Sequence, residues 1–160
     1  MSGDETSSDE KPSIDGRNTV TAYLCVRDAA GAIDFYKKAF GATQATDAIT
    51  MPDGKIGHAE LHIGNSKVML SDEFPDWGAN SPSTLGGSPV TLMLTVPDAD
   101  DFVEKAVQEG AEIIRPVENQ FYGERSGQIL DPFGFKWGIG TPVETVSPEE
   151  LKRRAKELFG

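Results

Sequence analysis

Two stretches of the chain carry the same alternation of apolar and polar positions. In the first, Ala22, Leu24 and Val26 alternate with Thr21, Tyr23 and Cys25; in the second, Val90, Leu92, Leu94 and Val96 alternate with Thr91, Met93 and Thr95. A period of two is the pattern of a half-buried strand, with the aliphatic set against a core and the mixed set on the opposite face. Asp28 and Asp98 then stand where a helix wants an N-cap. The spacing turns helical after each. Ile33, Tyr36 (or Phe35) and Phe40 share a face ahead of Gly41, and Phe102, Val103, Ala106 and Val107 repeat the plan ahead of Gly110. The residues 20–29 and 90–99 are therefore two copies of one unit, and two equivalent half-sheets must bury their faces together.

Three strands are predicted after each helix. They span Gln44–Met51, Ile56–Ile63 and Lys67–Ser71 in the first copy, and Glu112–Val117, Gly123–Leu130 and Lys136–Gly140 in the second. Turns fall at Pro52-Asp53-Gly54, Gly64-Asn65-Ser66 and Asp131-Pro132-Phe133-Gly134. The fold class is α+β: two tandem βαβββ modules over 18–72 and 89–142, within one domain of residues 18–142. Residues 73–88, rich in Pro and Gly, suit a surface crossing between the modules. A last helix is announced by Ser147-Pro148-Glu149-Glu150, a capping box with proline at the first helical position. Its stripe of Leu151, Ala155, Leu158 and Phe159 suits docking on its own domain or on a partner subunit, so 143–160 reads as a C-terminal capping helix.

Charge narrows the partners. The 160 residues carry 15 Lys and Arg against 26 Asp and Glu, a formal net charge of −11. Nucleic acid and anionic membrane surfaces are poor partners for such a chain. Asp4, Glu5, Asp9, Glu10 and Asp15 crowd the start, so residues 1–17 read as a disordered acidic tail. Cys25 is the single cysteine, so neither an internal disulfide nor a thiolate metal cluster is expected. No apolar run reaches membrane-spanning length and the start lacks leader character, so the expected compartment is the cytoplasm.

Further short blocks follow the repeat. They are Ala32-Ile33-Asp34-Phe35-Tyr36, Ala59-Glu60-Leu61, Met69–Pro75, Ser81–Gly87, Tyr122-Gly123-Glu124-Arg125, Asp131-Pro132-Phe133-Gly134 with Trp137, and Ser147–Leu151. In this order and spacing, residues 19–141 resemble the vicinal oxygen chelate superfamily of glyoxalase I, extradiol dioxygenases, fosfomycin-resistance enzymes and bleomycin-binding proteins. The likeness is greatest to its glyoxalase-like branch related to phosphonate-operon proteins. The resemblance implies sheets curled into a cup, a homodimer and a small organic ligand. It also implies four inward metal-bearing positions on the first and last strands of each module, which fall here at Thr21, Met69, Thr91 and Gly138. A neutral hydroxyl, a thioether and a missing side chain are not ligands for Fe, Mn, Ni or Zn. The usual metal centre is therefore expected to be absent, and with it the Lewis acid of the metal-dependent members.

Other residues offer alternatives. His58, Glu60 and His62 alternate with Ala59, Leu61 and Ile63, so they face the cup or solvent. Histidines four apart on a strand are about 13 Å apart, too far to share an ion, whereas neighbours two apart at about 6.7 Å can. They make either a polar cup wall or, with Glu124, a displaced site for a divalent transition metal. Glu124 and Arg125 must face opposite ways, one into the cup and one to a surface pair; an inward Glu124 beside His58 is a candidate acid or base. Tyr23, Met69, Met93 and Tyr122 supply an apolar and aromatic lining. Trp137 is expected under a helix, Trp77 over the cup or a dimer seam, and Cys25 as a bystander thiol. The leading expectation is a cofactor-free small-molecule-binding protein. The rivals are a lyase or isomerase using His58, Glu60 and Glu124, and a protein-interaction module with a filled cup.

Overall fold

The computed structural model describes residues 13–160. Most of the predicted acidic tail lies outside the described residues. Its end does not: Ile14 and Arg17 close a tight turn, with Arg17 N–H donating to the Ile14 carbonyl at 3.0 Å.

Both copies fold in the predicted order. The first comprises β1 (Ala22–Val26), α1 (Ala29–Phe40), β2 (Thr43–Gln44), β3 (Ile49–Thr50), β4 (Ile56–Ile63) and β5 (Ser66–Asp72). After a 3-10 turn (Pro75–Trp77) and the short α2 (Pro82–Leu85), the second comprises β6 (Thr91–Thr95), α3 (Ala99–Gln108), β7 (Glu112–Asn119), β8 (Glu124–Leu130) and β9 (Lys136–Pro142). The chain ends in α4 (Pro148–Phe159). The sheets run β1-β5-β4-β2, with β3 also on β4, and β6-β9-β8-β7. Each first strand pairs parallel with the last strand of its own module and otherwise forms an open edge.

The caps explain where the helices begin. Asp28 accepts from Gly31 N–H at 3.0 Å and Asp98 from Asp101 N–H at 3.0 Å, while Gly41 supplies the left-handed turn (φ 68°) that ends α1. Three expectations are corrected. The strand predicted over Gln44–Met51 is broken at residues 45–48, where Ala45, Asp47 and Ala48 are weak strand formers and the pairing with β4 then slips register. The linker carries helical turns because Ser81 caps Thr84 N–H at 3.3 Å and Pro82 presets the first helical position. In α4, Ser147 accepts from Glu150 N–H, yet the Glu150 carboxylate turns to Arg153 and Arg154 instead of closing the box. Leu151 and Ala155 are half-buried, whereas Leu158 and Phe159 stay exposed, Phe159 with its ring 5.7 Å from Phe121.

The core lies between the modules. Phe40 of α1 packs on Phe102 of α3 (5.1 Å between centroids) and on Trp137 of β9 (5.0 Å), and Tyr36 meets Trp137 at 5.7 Å. Under the helices sit Leu24, Val26, Leu61 and Leu70 of one sheet and Ile129, Trp137 and Ile139 of the other. Asp131 is buried at the junction. Its Oδ1 accepts from Phe133 and Phe135 N–H, and its Oδ2 from Trp137 Nε1 at 2.8 Å and from the Tyr36 hydroxyl. Burial first, and then the Asp131 charge, hold the Tyr36 hydroxyl well above its ordinary range.

The linker has a carboxylate of its own. Glu73 accepts from Ser81 N–H at 2.7 Å and from the Thr84 hydroxyl, and Arg27 stands 3.9 Å away. Hydrogen bonds from Ser81 and then Thr84 pull its pKa down to about 2.

Both carboxylates can be tested by substitution. Asp131→Ala strands the Tyr36 and Trp137 donors in the core and should cost about 3 kcal/mol in urea unfolding, against about 1 kcal/mol for Tyr36→Phe. Because the folded pKa of Glu73 is depressed, its contribution to stability is complete above pH 4.5 and disappears as pH falls towards 2. The stability difference between wild type and Glu73→Gln should therefore shrink steadily across that window.

Candidate functional site

Alternation on β1, β5 and β4 places a row of side chains across the first sheet, on the face away from α1. The register pairs Tyr23 with Met69 and Met69 with Glu60; one step along, Lys67 pairs with His62, and Thr21 continues that row from β1. Four polar groups join into a chain. Lys67 Nζ donates to Glu60 Oε1 at 2.9 Å, His58 Nε2 lies 3.1 Å from Glu60 Oε2, and the Tyr23 hydroxyl lies 2.9 Å from His58 Nδ1. The Tyr23 ring crosses over the Met69 position to reach His58, with ring centroids 5.5 Å apart.

Lys67 first, and then His58, hold the Glu60 carboxyl below its usual range. An ionised Glu60 accepts only, so neutral His58 must carry its proton on Nε2, leaving Nδ1 to accept from the Tyr23 O–H. The order hydroxyl, imidazole, carboxylate can draw a proton from the phenol and stabilise the imidazolium that forms.

The outer face of the second sheet is built on glycine. Met93 folds over Gly138, the residue paired with it on β9, and Glu124 covers Gly140, where a Cβ would come within 2.9 Å of its Oε2. Thr91 shares this face, with a methyl 3.9 Å from the place a Gly138 Cβ would take. Tyr122 meets the Ser126 hydroxyl at 3.1 Å beside them. Arg125 faces the other way and grips Asp100 of α3 through Nε and Nη2 at 2.6 and 2.9 Å.

The structure thus joins Tyr23, His58 and Glu60, adds Lys67, and leaves Glu124, Met93 and Tyr122 on the other sheet. His58, Glu60 and Glu124 do not form one ligand set, and among the described residues no three His, Cys, Asp or Glu side chains gather to hold an ion. Thr21, Met69, Thr91 and Gly138 provide no donor set for a divalent transition metal, and Glu60 is already paired. The side chains at these positions do not fit such an ion. Lys67 escaped the sequence-based expectation, although its place two before Met69 on the strand puts it on the same face. Cys25 is half-buried, and burial, then Glu73 and Asp72, push its thiol pKa up, which keeps it protonated. Trp77 is 73% exposed and stacks on Phe74 in the linker, with Lys55 Nζ 5.3 Å from the Phe74 centroid.

The model of the Glyoxalase/Bleomycin resistance protein/Dioxygenase superfamily matches residues 18–139. The chain belongs to this superfamily. It is 43% identical over 136 residues to an uncharacterised protein of Mycobacterium tuberculosis, covering 83% of this chain and 79% of that one. An uncharacterised Arabidopsis thaliana protein is 32% identical over 127 residues, covering 76% of this chain and 75% of that one. The solved structure carrying the same Arabidopsis designation superposes with a TM-score of 0.60 at 29% identity, covering 76% of this chain and 97% of that chain. A Pseudomonas aeruginosa protein shares the fold with a TM-score of 0.62 at 22% identity, over 78% of this chain and 98% of that one. At the four positions where the resemblance puts metal ligands, this chain carries hydroxyl, thioether or hydrogen.

Gly138 on this face and Gly127 on the opposite one provide a check. A Cβ at 138 meets the flexible end of Met93 and, at an ordinary contact distance, the Thr91 methyl, whereas at 127 it runs into Arg115 and Val117 backbone at 2.7 and 2.9 Å. Gly138→Ala should stay within about 0.5 kcal/mol of wild type in urea unfolding, and Gly127→Ala should cost about 2 kcal/mol. Equal costs would show that the glycine floor is not open.

Proposed function

We propose that the protein binds a small organic molecule on these sheet faces without the superfamily's usual metal ion. The observation that carries the reading is the Tyr23–His58–Glu60–Lys67 chain beside Met69. It replaces a metal's directional hold with fixed donors and acceptors next to an apolar floor. Tyr23, Met69, Met93 and Tyr122 provide apolar contact, while Thr21, His62, Thr91, Glu124 and Gly138 complete the lining of the two faces.

The proposal includes a homodimer. β1 and β6 end their sheets as open edges, and beside them Tyr23 is 51% and Met93 62% exposed. A second copy laid along these edges pairs free backbone groups and turns each face into a cup. No described helix is long and apolar enough to cross a membrane. A cytoplasmic setting completes the proposal, where a lone thiol such as Cys25 remains reduced.

A second reading, proton transfer of the lyase or isomerase type, is favoured by one observation: Tyr23, His58 and Glu60 stand in the order of a proton relay. As the Tyr23 oxygen takes a proton from a substrate, its own passes to His58 Nδ1, and Glu60 stabilises the imidazolium. Deuterium uptake from D2O into a bound compound, lost in Tyr23→Phe, supports this reading; binding without uptake leaves the binding protein.

A thermal-shift screen of small organic molecules tests the proposal on wild type, His58→Ala and Glu124→Ala. A ligand at a hundred times its Kd adds about 2.7 kcal/mol, a rise of several degrees. The rise should fall sharply in His58→Ala. Compounds that stabilise all three proteins equally contradict the site.

A further inference from the structure

The first sheet carries a second feature beside the Tyr23 row. A cavity of about 70 Å³ is lined by Arg17, Asn18, Thr21, His62, Asn65 and Lys67. One water needs about 10–15 Å³ of such space, so the cavity has room for several waters or for a group the size of a carboxylate or phosphate. Three of its walls carry basic side chains and none carries an acid, in a chain where acids outnumber Lys and Arg by 26 to 15.

The donors are set up in detail. Lys67 uses one ammonium proton on Glu60 and keeps two. The Ser66 hydroxyl donates to Asn65 Oδ1 at 3.3 Å, which leaves the Asn65 amide nitrogen as the group without that engagement. Arg17 is brought to the rim by the turn it closes with Ile14, and among the described residues it makes no ion pair. Lys67 and His62 are paired on adjacent strands, so their spacing is fixed by strand pairing, and Thr21 lies immediately before β1, whose first pair is Ala22 with Val68.

We infer that this cavity is an anion subsite, built to hold the carboxylate or phosphate end of a small molecule. The inference rests on the proposed ligand face and names the charge of its ligand. The row of Thr21, Lys67 and His62 lies two residues along the strands from the row of Tyr23, Met69 and Glu60, or about 7 Å. The ligand class is therefore an organic anion with a hydrogen-bonding group about 7 Å from its charged end, the charge beside Lys67 and His62 and the polar group in the Tyr23 row. A guanidinium that can grip two oxygens at once makes Arg17 the main source of affinity.

Proton–nitrogen NMR titration of the full chain with sodium phosphate, and separately with sodium acetate, tests this against sodium chloride at matched ionic strength. Saturable shifts are expected at the Arg17 side chain, His62 and the Thr21 amide with at least one of the two anions. Phosphate alone indicates a phosphate end, acetate alone a carboxylate end, and both a site that reads charge and size. Arg17→Gln, an exposed position whose replacement leaves the core intact, should weaken binding roughly tenfold, and His62→Gln should weaken it less. No saturable shift with either anion, the same shifts with chloride, or unchanged affinity in Arg17→Gln overturns the subsite. Neutral compounds that still lose their thermal shift in His58→Ala would at the same time leave the binding face standing.

Discussion

The Asp131 carboxylate fixes how the two modules meet. A buried carboxylate without partners is costly enough to protonate or to open the fold, so its site must satisfy it completely. Two of its donors come from its own turn, one from Trp137 and one from Tyr36 in the other module. Only one docking of α1 brings the Tyr36 hydroxyl to that oxygen, and the same docking seats Phe40 between Phe102 and Trp137. The helices thereby occupy the space between the modules, and the mixed faces of both sheets are left uncovered by them. The candidate faces are the sides left uncovered once the aliphatic faces of both sheets pack against the helices around that carboxylate.

The duplication is unequal at this point. Between the last two strands of the second module stands the Asp131 turn; between those of the first stands Gly64-Asn65-Ser66. The second turn is tied into the core. The first has no carboxylate to bury, and Asn65 lines the basic cavity instead. One repeat specialised in holding the modules together and the other in meeting solvent. The faces differ in the same way: a connected polar chain over Met69 on one sheet, and side chains folded over Gly138 and Gly140 on the other.

Local patterns made much of this legible in the sequence. Alternation assigned Tyr23, His58, Glu60 and Met93 to the faces away from the helices, set Glu124 and Arg125 on opposite faces, and placed Trp137 under a helix. Capping chemistry located the starts of the helices at Asp28, Asp98 and Ser147. What alternation cannot supply is which strands lie side by side. The Tyr23–His58 bond depends on β5 lying between β1 and β4, and the Tyr36–Asp131 bond joins residues 95 positions apart. The same ignorance of neighbours grouped Glu124 with His58 and passed over Lys67. The break at residues 45–48 is hidden in the sequence because Ala45-Thr46-Asp47-Ala48 carries no Gly or Pro to mark a turn, and only the partner's register shows the pairing shift.

With Thr21, Met69, Thr91 and Gly138 at the four metal-bearing positions, the proposal is that this superfamily member holds its ligand with side chains alone. Equilibrium dialysis of the purified full chain against Mn, Fe(II), Ni and Zn, beside a His58→Ala/Glu60→Ala variant, is the sharpest test. The expected result is no tightly held ion and no difference between the two proteins. One ion per wild-type chain, lost in the variant, would refute it.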